Sequence, residues 1–290
     1  MDKIIVIIGP TGSWKTKLAV KLAKEYNGEV INADAFQVYK EISIGTSKAT
    51  TKEMDGVKFH LNGDISIYDS WDIKIFQEKA KKIIAQIVKS KKIPIIVGGS
   101  NLYIDALIYN YDLSAPARDD KYESMDCPSL YELLKNKDSS IAKTVDKENK
   151  RRLVRALQII DSGKPFRHKQ EIIYDPMFVY SYIDKDILYK KINDNVDEMI
   201  SNGWKAEIEK LYKKDKDISK LNAFKAIGYQ EILDSILVNK KIDIDKIKQK
   251  TRQYAKRQLT WIKYHYTNPF IYTSNNYEEL TKKIKLFLYS

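Results

Sequence analysis

Residues 4–8 form an unbroken apolar run, Ile4-Ile5-Val6-Ile7-Ile8, with hydrophobic side chains on both alternating faces. That is the pattern of a strand inside a parallel sheet covered by helices on both sides. The run stops at Gly9. Over residues 16–26, Leu18, Ala19, Leu22 and Ala23 recur at helical spacing, and residues 29–33 read as a second short strand, completing a βαβ unit. Ile73, Phe76, Ala80, Ile83, Ile84 and Ile87 mark an amphipathic helix that feeds a strand over residues 93–97 and the turn Gly98-Gly99. Alternating strands and helices of this kind predict an α/β fold with a doubly wound parallel sheet.

The periodicity breaks over residues 112–128, a polar stretch carrying Pro116 and Pro128 that reads as a linker. Two helical segments are predicted next, over 129–145 and 147–162, the second closed by Gly163 with Pro165 just beyond. They suggest a small inserted helical domain over 112–172, set into a core made of 1–111 and 173–290. Strand character resumes over 178–183. Long helical patterns then run over 186–213 and 244–266, followed by a strand over 270–272 and a helix from Tyr277.

Composition narrows the class without naming a partner. The 290 residues hold 51 Lys and Arg against 39 Asp and Glu, a net charge of +12. That suits a polyanion, and equally a lysine-rich solvated surface. Cys127 is the only cysteine, so no disulfide forms within the chain and a reducing compartment is expected. His60, His168 and His265 stand too far apart for a local zinc motif. No apolar run approaches the ~20 residues that span a bilayer. The first strand begins almost at Met1, so no leader peptide is expected and the cytoplasm is the inferred location.

The chemistry begins at Gly9-Pro10-Thr11-Gly12-Ser13-Trp14-Lys15-Thr16. This stretch fits the phosphate-loop pattern between strand and helix, except that Trp14 replaces the glycine before the lysine. In such loops backbone amides hold phosphate oxygens, the lysine neutralises charge and the hydroxyl residue can ligate Mg²⁺. If position 14 needs a positive φ, its Cβ costs roughly 1 to 2 kcal/mol, and the indole either crowds the phosphates or rests over the loop. A strand ending in a Mg²⁺-holding Asp, usual in phosphate-loop motors and kinases, is missing at 93–97. Asp34 follows the second strand instead. Because strand ends line the ligand crevice in open α/β sheets, Asp34 and Ser100 should both face the phosphate loop; as a bare pattern Asp34 also reads as a helix cap.

Taken in order, several motifs resemble the tRNA dimethylallyltransferase family, the tRNA isopentenyltransferases. They are the phosphate loop, Asn32-Ala33-Asp34-Ala35-Phe36-Gln37-Val38-Tyr39, Ile44-Gly45-Thr46-Ser47-Lys48, and Val97-Gly98-Gly99-Ser100-Asn101-Leu102-Tyr103. Further on stand Asn149 with Arg152, Arg155-Ala156-Leu157, Gly163-Lys164-Pro165, Ala226-Ile227-Gly228-Tyr229, and Thr251-Arg252-Gln253-Tyr254-Ala255-Lys256-Arg257-Gln258 with Thr260-Trp261. The likeness covers nearly the whole chain.

That resemblance implies a phosphate loop that binds dimethylallyl diphosphate, so that diphosphate is the leaving group. Lys15, Thr16 and Mg²⁺ would then stabilise the departing charge. It implies Asp34 as the general base for N6 of an adenine, with Ser100, where the family usually has Thr, keeping a hydroxyl nearby. The tRNA anticodon stem-loop would be met by Asp34, Ala35, Phe36 and Gln37, by Ser100, by Arg151, Arg152, Leu153, Val154 and Arg155, and by Lys225, Ala226, Ile227, Gly228, Tyr229 and Gln230, with the chain acting as a monomer. Residues 246–263 hold no acid and seven Lys or Arg, a further phosphate contact or a solvated helix face. Departures from the family pattern are Trp14, Ala35 for Ser, Ala49 for Pro, Asn101 for Gly, Glu123 for Arg, and a shortened insertion. Two other readings stay open: a prenyltransferase acting on free adenine nucleotide, and a silent RNA-binding relative.

Overall fold

The computed structural model describes residues 1–114, 120–164 and 171–290; Pro116, Pro165 and His168 lie outside them. The chain divides into two compact units, 1–108 with 173–290, and 109–172.

In the larger unit, β1 (Asp2–Ile8) leads through the glycine loop to α1 (Lys15–Glu25) and β2 (Gly28–Asn32). Next come α2 (Thr51–Met54), β3 (Phe59–His60), α3 (Ile73–Lys89), β4 (Ile93–Val97) and α4 (Asn101–Ile108). The smaller unit holds α5 (Cys127–Lys137), α6 (Ser139–Ala142) and α7 (Lys150–Asp161). The larger unit resumes with β5 (Tyr174–Ser181), α8 (Lys185–Ser201), α9 (Trp204–Lys214), α10 (Tyr229–Leu237), α11 (Ile244–His265), β6 (Phe270–Tyr272) and α12 (Tyr277–Tyr289).

Six strands make one sheet in the order β3-β2-β4-β1-β5-β6, and every pairing is parallel. Parallel strands require crossovers, which place helices over the sheet and bury both its faces. Leu18 and Leu22 of α1 and Leu280 and Ile284 of α12 pack with Ile5, Ile7, Val30 and Val97 on one face. Ile4, Val6 and Ile8 on the opposite face are equally inaccessible, and α3 packs against β2 and β4. Among the described residues no helix is long and apolar enough to cross a membrane.

Two predicted helices are each two. The segment expected over 129–145 breaks at Asp138, whose carboxylate accepts Ser140 and Ile141 N–H at 2.9 Å and so starts α6 as α5 ends. The segment expected over 186–213 breaks at Gly203, where φ is +93° and a left-handed residue ends the run. In the smaller unit Tyr122, Leu130, Leu134, Leu153, Val154 and Leu157 form the core. Asp161 closes it, held well below the usual carboxylate range by hydrogen bonds from Lys121, Lys137 and Tyr122.

Candidate functional site

The loop after β1 wraps around one carbonyl. Pro10 O accepts Ser13 N–H at 3.3 Å and Ser13 Oγ–H at 2.8 Å, and Lys15 Nζ at 2.6 Å. Gly12 takes φ of +82°, and Leu188 and Ile192 of α8 stand 3.5 and 3.6 Å from where its Cβ would be. Trp14 does adopt the left-handed backbone, with φ 57° and ψ 20°, at the start of α1. Its ring is half exposed and lies under the Lys191 ammonium. Thr16 sits in the first turn of α1, where its amide joins the others that face an incoming anion.

Burial pushes the Lys15 ammonium down to about 8, with the Asp34 carboxylate opposing the shift. Asp34 is displaced in the complementary sense. Desolvation raises it, while hydrogen bonds from the Phe36 and Gln37 amides and the charge of Lys15 pull it back. Asp34 Oδ1 accepts both amides, at 2.9 and 3.2 Å, so it caps a turn and not a helix.

The loops after β2 and β4 are stitched together beside Asp34. Ala33 N–H donates to Val97 O at 2.7 Å, Ser100 N–H to Ala33 O at 3.2 Å, and Ala35 N–H to Ser100 Oγ at 3.0 Å. Gly98 permits this approach, because a Cβ there would lie 2.1 Å from Ala33 O. Lys15, Asp34 and Ser100 therefore gather at the carboxyl ends of neighbouring strands, where open α/β sheets bind ligands. Two residues of the 251–258 motif, both on α11, had no role assigned from the sequence. Tyr254 OH donates to Gly99 O at 3.2 Å and Gln258 is buried against the same loop; only their four-residue spacing hints at a shared face.

Beyond Asp34, Gln37 accepts Asn32 Nδ2 at 2.9 Å and donates to Thr46 O at 2.9 Å. Glu207 organises the next segment. It accepts Ser43 and Ile44 N–H at 2.8 and 3.0 Å and Tyr229 OH at 2.7 Å. Of the 225–230 segment, Lys225 is exposed and Ile227 and Gln230 partly so, whereas Ala226 and Tyr229 are buried. The Tyr229 side chain is buried and bonded to Glu207, which leaves the exposed members of its segment for any ligand.

On the smaller unit, Arg151 and Arg152 are exposed and Arg155 partly so. Leu153 and Val154 belong to that unit's core, because the helical period turns them inward, so their side chains support the arginines from beneath. On α11, Lys248 pairs with Asp197 and Lys250 with Glu231, leaving Lys246, Lys256, Arg257 and Lys263 on its exposed face. Among the described residues no cluster of His, Cys, Asp or Glu is arranged to hold a metal. A Mg²⁺ at such a loop would be held in the manner usual for phosphate sites, on one hydroxyl, the ligand's own oxygens and water, and Thr16, the second residue of α1, is the hydroxyl residue that would supply it.

A strand, an amide-lined loop and a half-buried lysine, with a carboxylate after β2, one strand removed from β1 in the sheet, define an α/β protein of the phosphate-loop type. Within that class, the chain belongs to the tRNA dimethylallyltransferase family. The IPP transferase family profile matches residues 37–265. The tRNA dimethylallyltransferase of Malacoplasma penetrans (strain HF-2) is 41% identical over 294 residues, spanning 99% of this chain and 98% of that protein. The crystal structure of the full-length tRNA isopentenylpyrophosphate transferase from Bacillus halodurans superposes with a TM-score of 0.76 at 34% identity, covering 99% of this chain and 97% of the other. A eukaryotic dimethylallyltransferase captured acting on tRNA gives a TM-score of 0.79 at 31% identity over 90% of this chain and 70% of its own.

Proposed function

We propose that this chain transfers a dimethylallyl group from dimethylallyl diphosphate to N6 of an adenosine beside the anticodon of tRNA, yielding N6-isopentenyladenosine and diphosphate. The observation that carries the reading is the opposition of Lys15 and Asp34, a half-buried cation on the phosphate loop and a carboxylate on the loop after β2, each displaced chiefly by desolvation and drawn back by the other's charge. The allylic carbon–oxygen bond breaks with its electron pair leaving on the diphosphate. The N6 lone pair forms the new carbon–nitrogen bond, and the amino proton passes to Asp34.

Each group suits its step. The loop amides and Lys15 face the oxygens on which charge develops. Mg²⁺, held by Thr16 and the diphosphate, would add Lewis-acid neutralisation of the same charge. A carboxylate raised by desolvation is a better proton acceptor than one in water. Ser100 Oγ accepts Ala35 N–H and its side chain is hydrogen-bonded with Tyr254, so its hydroxyl is fixed beside the transferred group or the base. The adenine must leave its stack to reach this site, at a cost of about a few kcal/mol. Gln37, Lys225, Ile227 and Gln230 lie in the segments that would hold the flipped nucleotide and its neighbours, with Arg151, Arg152 and Arg155 on the phosphates. Nothing in this set calls for a second copy, so the monomer is the proposed working unit.

The test is to incubate the protein with dimethylallyl diphosphate, Mg²⁺ and unmodified tRNA, digest the RNA, and look for isopentenyladenosine by mass. Product on tRNA supports the reading; product on free adenine nucleotide alone, or RNA binding without product, overturns it. Asp34→Asn should abolish most turnover and leave tRNA bound.

A further inference from the structure

α11 presents Tyr254 and Gln258, four residues apart, to two loops at once. Gln258 is 3% exposed. Its Oε1 accepts Thr11 N–H at 2.8 Å, and its Nε2 donates to Gly99 O at 2.8 Å, the carbonyl that also accepts Tyr254 OH. The fit is close enough that a Cβ on Gly99 would lie 2.4 Å from Gln258 Nε2. Thr11 belongs to the phosphate loop. Gly99 precedes Ser100, whose hydroxyl fixes Ala35 beside Asp34. One primary amide thus spans the loop that would receive the leaving group and the loop that would hold the base, and it uses both of its ends to do so.

We infer that Gln258 is a positioning residue, which sets the separation of the diphosphate half of the site from the acceptor half; the inference rests on the transferase reading above. Thr11 N–H is committed to this bridge, so the anion is left to the amides after it. Transfer between two bound partners demands alignment of the reacting atoms, and a displacement of about 1 Å far from the chemistry can cost about 100-fold in rate. Removing the bridge should therefore loosen the relation between the half-sites more than either half-site.

Gln258→Met keeps the volume and deletes both bonds. Gln258→Glu is the sharper probe. As a carboxylate it still accepts from Thr11 but cannot donate to Gly99, whereas as a carboxylic acid it does both. For Gln258→Met, kcat is expected to fall at least about tenfold while the dissociation constant for inorganic diphosphate stays within about threefold. For Gln258→Glu, the rate relative to wild type at the same pH should climb as pH is lowered from 8 to 6. A kcat in Gln258→Met within twofold of wild type overturns the inference. So does a parallel loss of diphosphate affinity, which marks a mere strut of the phosphate loop, or a flat relative pH profile for Gln258→Glu. Amide hydrogen exchange supplies an arm that needs no turnover. Inorganic diphosphate should slow exchange over residues 98–102 in the wild type and not in Gln258→Met, and equal protection in both overturns the inference. A wild-type protein with no transferase activity counts against the reaction itself and leaves this arm standing as its own test.

Discussion

The ammonium of Lys191 stands 3.6 Å above the indole of Trp14, at the position where a phosphate loop ordinarily carries glycine. Trp14 is held at φ 57°, a conformation that costs an L-residue about 1–2 kcal/mol. A cation over an exposed ring returns about 0.5–1 kcal/mol, and burial together with the charge of Lys17 lowers the lysine.

Trp14→Gly should therefore change stability by less than about 1 kcal/mol, since relief of the left-handed strain is offset by the lost ring contact and by the wider freedom of glycine in the unfolded chain. It should also release Lys191 and tighten binding of inorganic diphosphate at low salt. Titration calorimetry against both proteins checks this, and weaker binding by the variant would mean that the ring itself supports the anion.

Lys15 gives a second measurable consequence. Its free-site value is about 8, so at pH 8.5 most of the protein carries a neutral amine. A bound diphosphate favours the ammonium and raises that value again. Binding at pH 8.5 should take up a fraction of a proton at Lys15, and binding at pH 7 almost none, because the group is already charged. Calorimetry in buffers of different ionisation enthalpy reads the uptake. Lys15→Met should lack the difference between the two pH values attributable to the protein, and should bind diphosphate much more weakly.

Much of this site was legible in the sequence because it is built from local pieces. The loop 9–16 lies between a strand and a helix whose periodicities are clear, and Asp34 and Ser100 follow strands whose apolar runs announce them. The residues that join those pieces were not legible. Gln258 and Glu207 act on loops about 160 to 250 positions away, and only the crossing of α11 and α9 over the strand ends brings them there. Tyr229, Leu153 and Val154 differ in the opposite direction, being buried where exposed side chains were expected. Their segments fit a contact role, but a helix shows one face outward, and the residues between the exposed ones are needed inside.

At the other end of β2, Glu29 is buried among cations. Burial alone would raise its carboxyl, but hydrogen bonds from Lys92 and His60, with the charges of Lys58 and Lys92, outweigh that and hold it at about 2. In the unfolded chain it titrates near 4.5. Between these values the unfolded chain binds more protons, so the stabilisation is complete above about pH 4.5 and is lost as pH falls toward 2. Glu29→Gln should lower stability at pH 7 by about 1 to 3 kcal/mol and flatten the dependence between pH 4.5 and 2. Denaturant unfolding at several acid pH values checks this, and unchanged steepness would assign the acid loss to other carboxylates.

Trp204 provides the last test, because it joins core packing to the site. The ring is 1% exposed. A Cβ on Gly45 would lie 2.1 Å from its Cε2 and Nε1, and one on Gly228 2.0 Å from its Cη2. Backbone on both segments therefore touches the indole face, and a fully buried ring has no room to retreat. Gly45→Ala should cost about 1–3 kcal/mol through overpacking, or shift the 43–46 segment and with it the Thr46 carbonyl that receives Gln37. Either outcome should reduce tRNA modification. Trp204→Leu alone should cost about 3 kcal/mol or more by opening a cavity. In that background Gly45→Ala should cost much less than in the wild type, because the obstructing atoms are gone. A double-mutant cycle by denaturant unfolding measures the difference. If the two costs simply add, the ring is not what keeps position 45 a glycine.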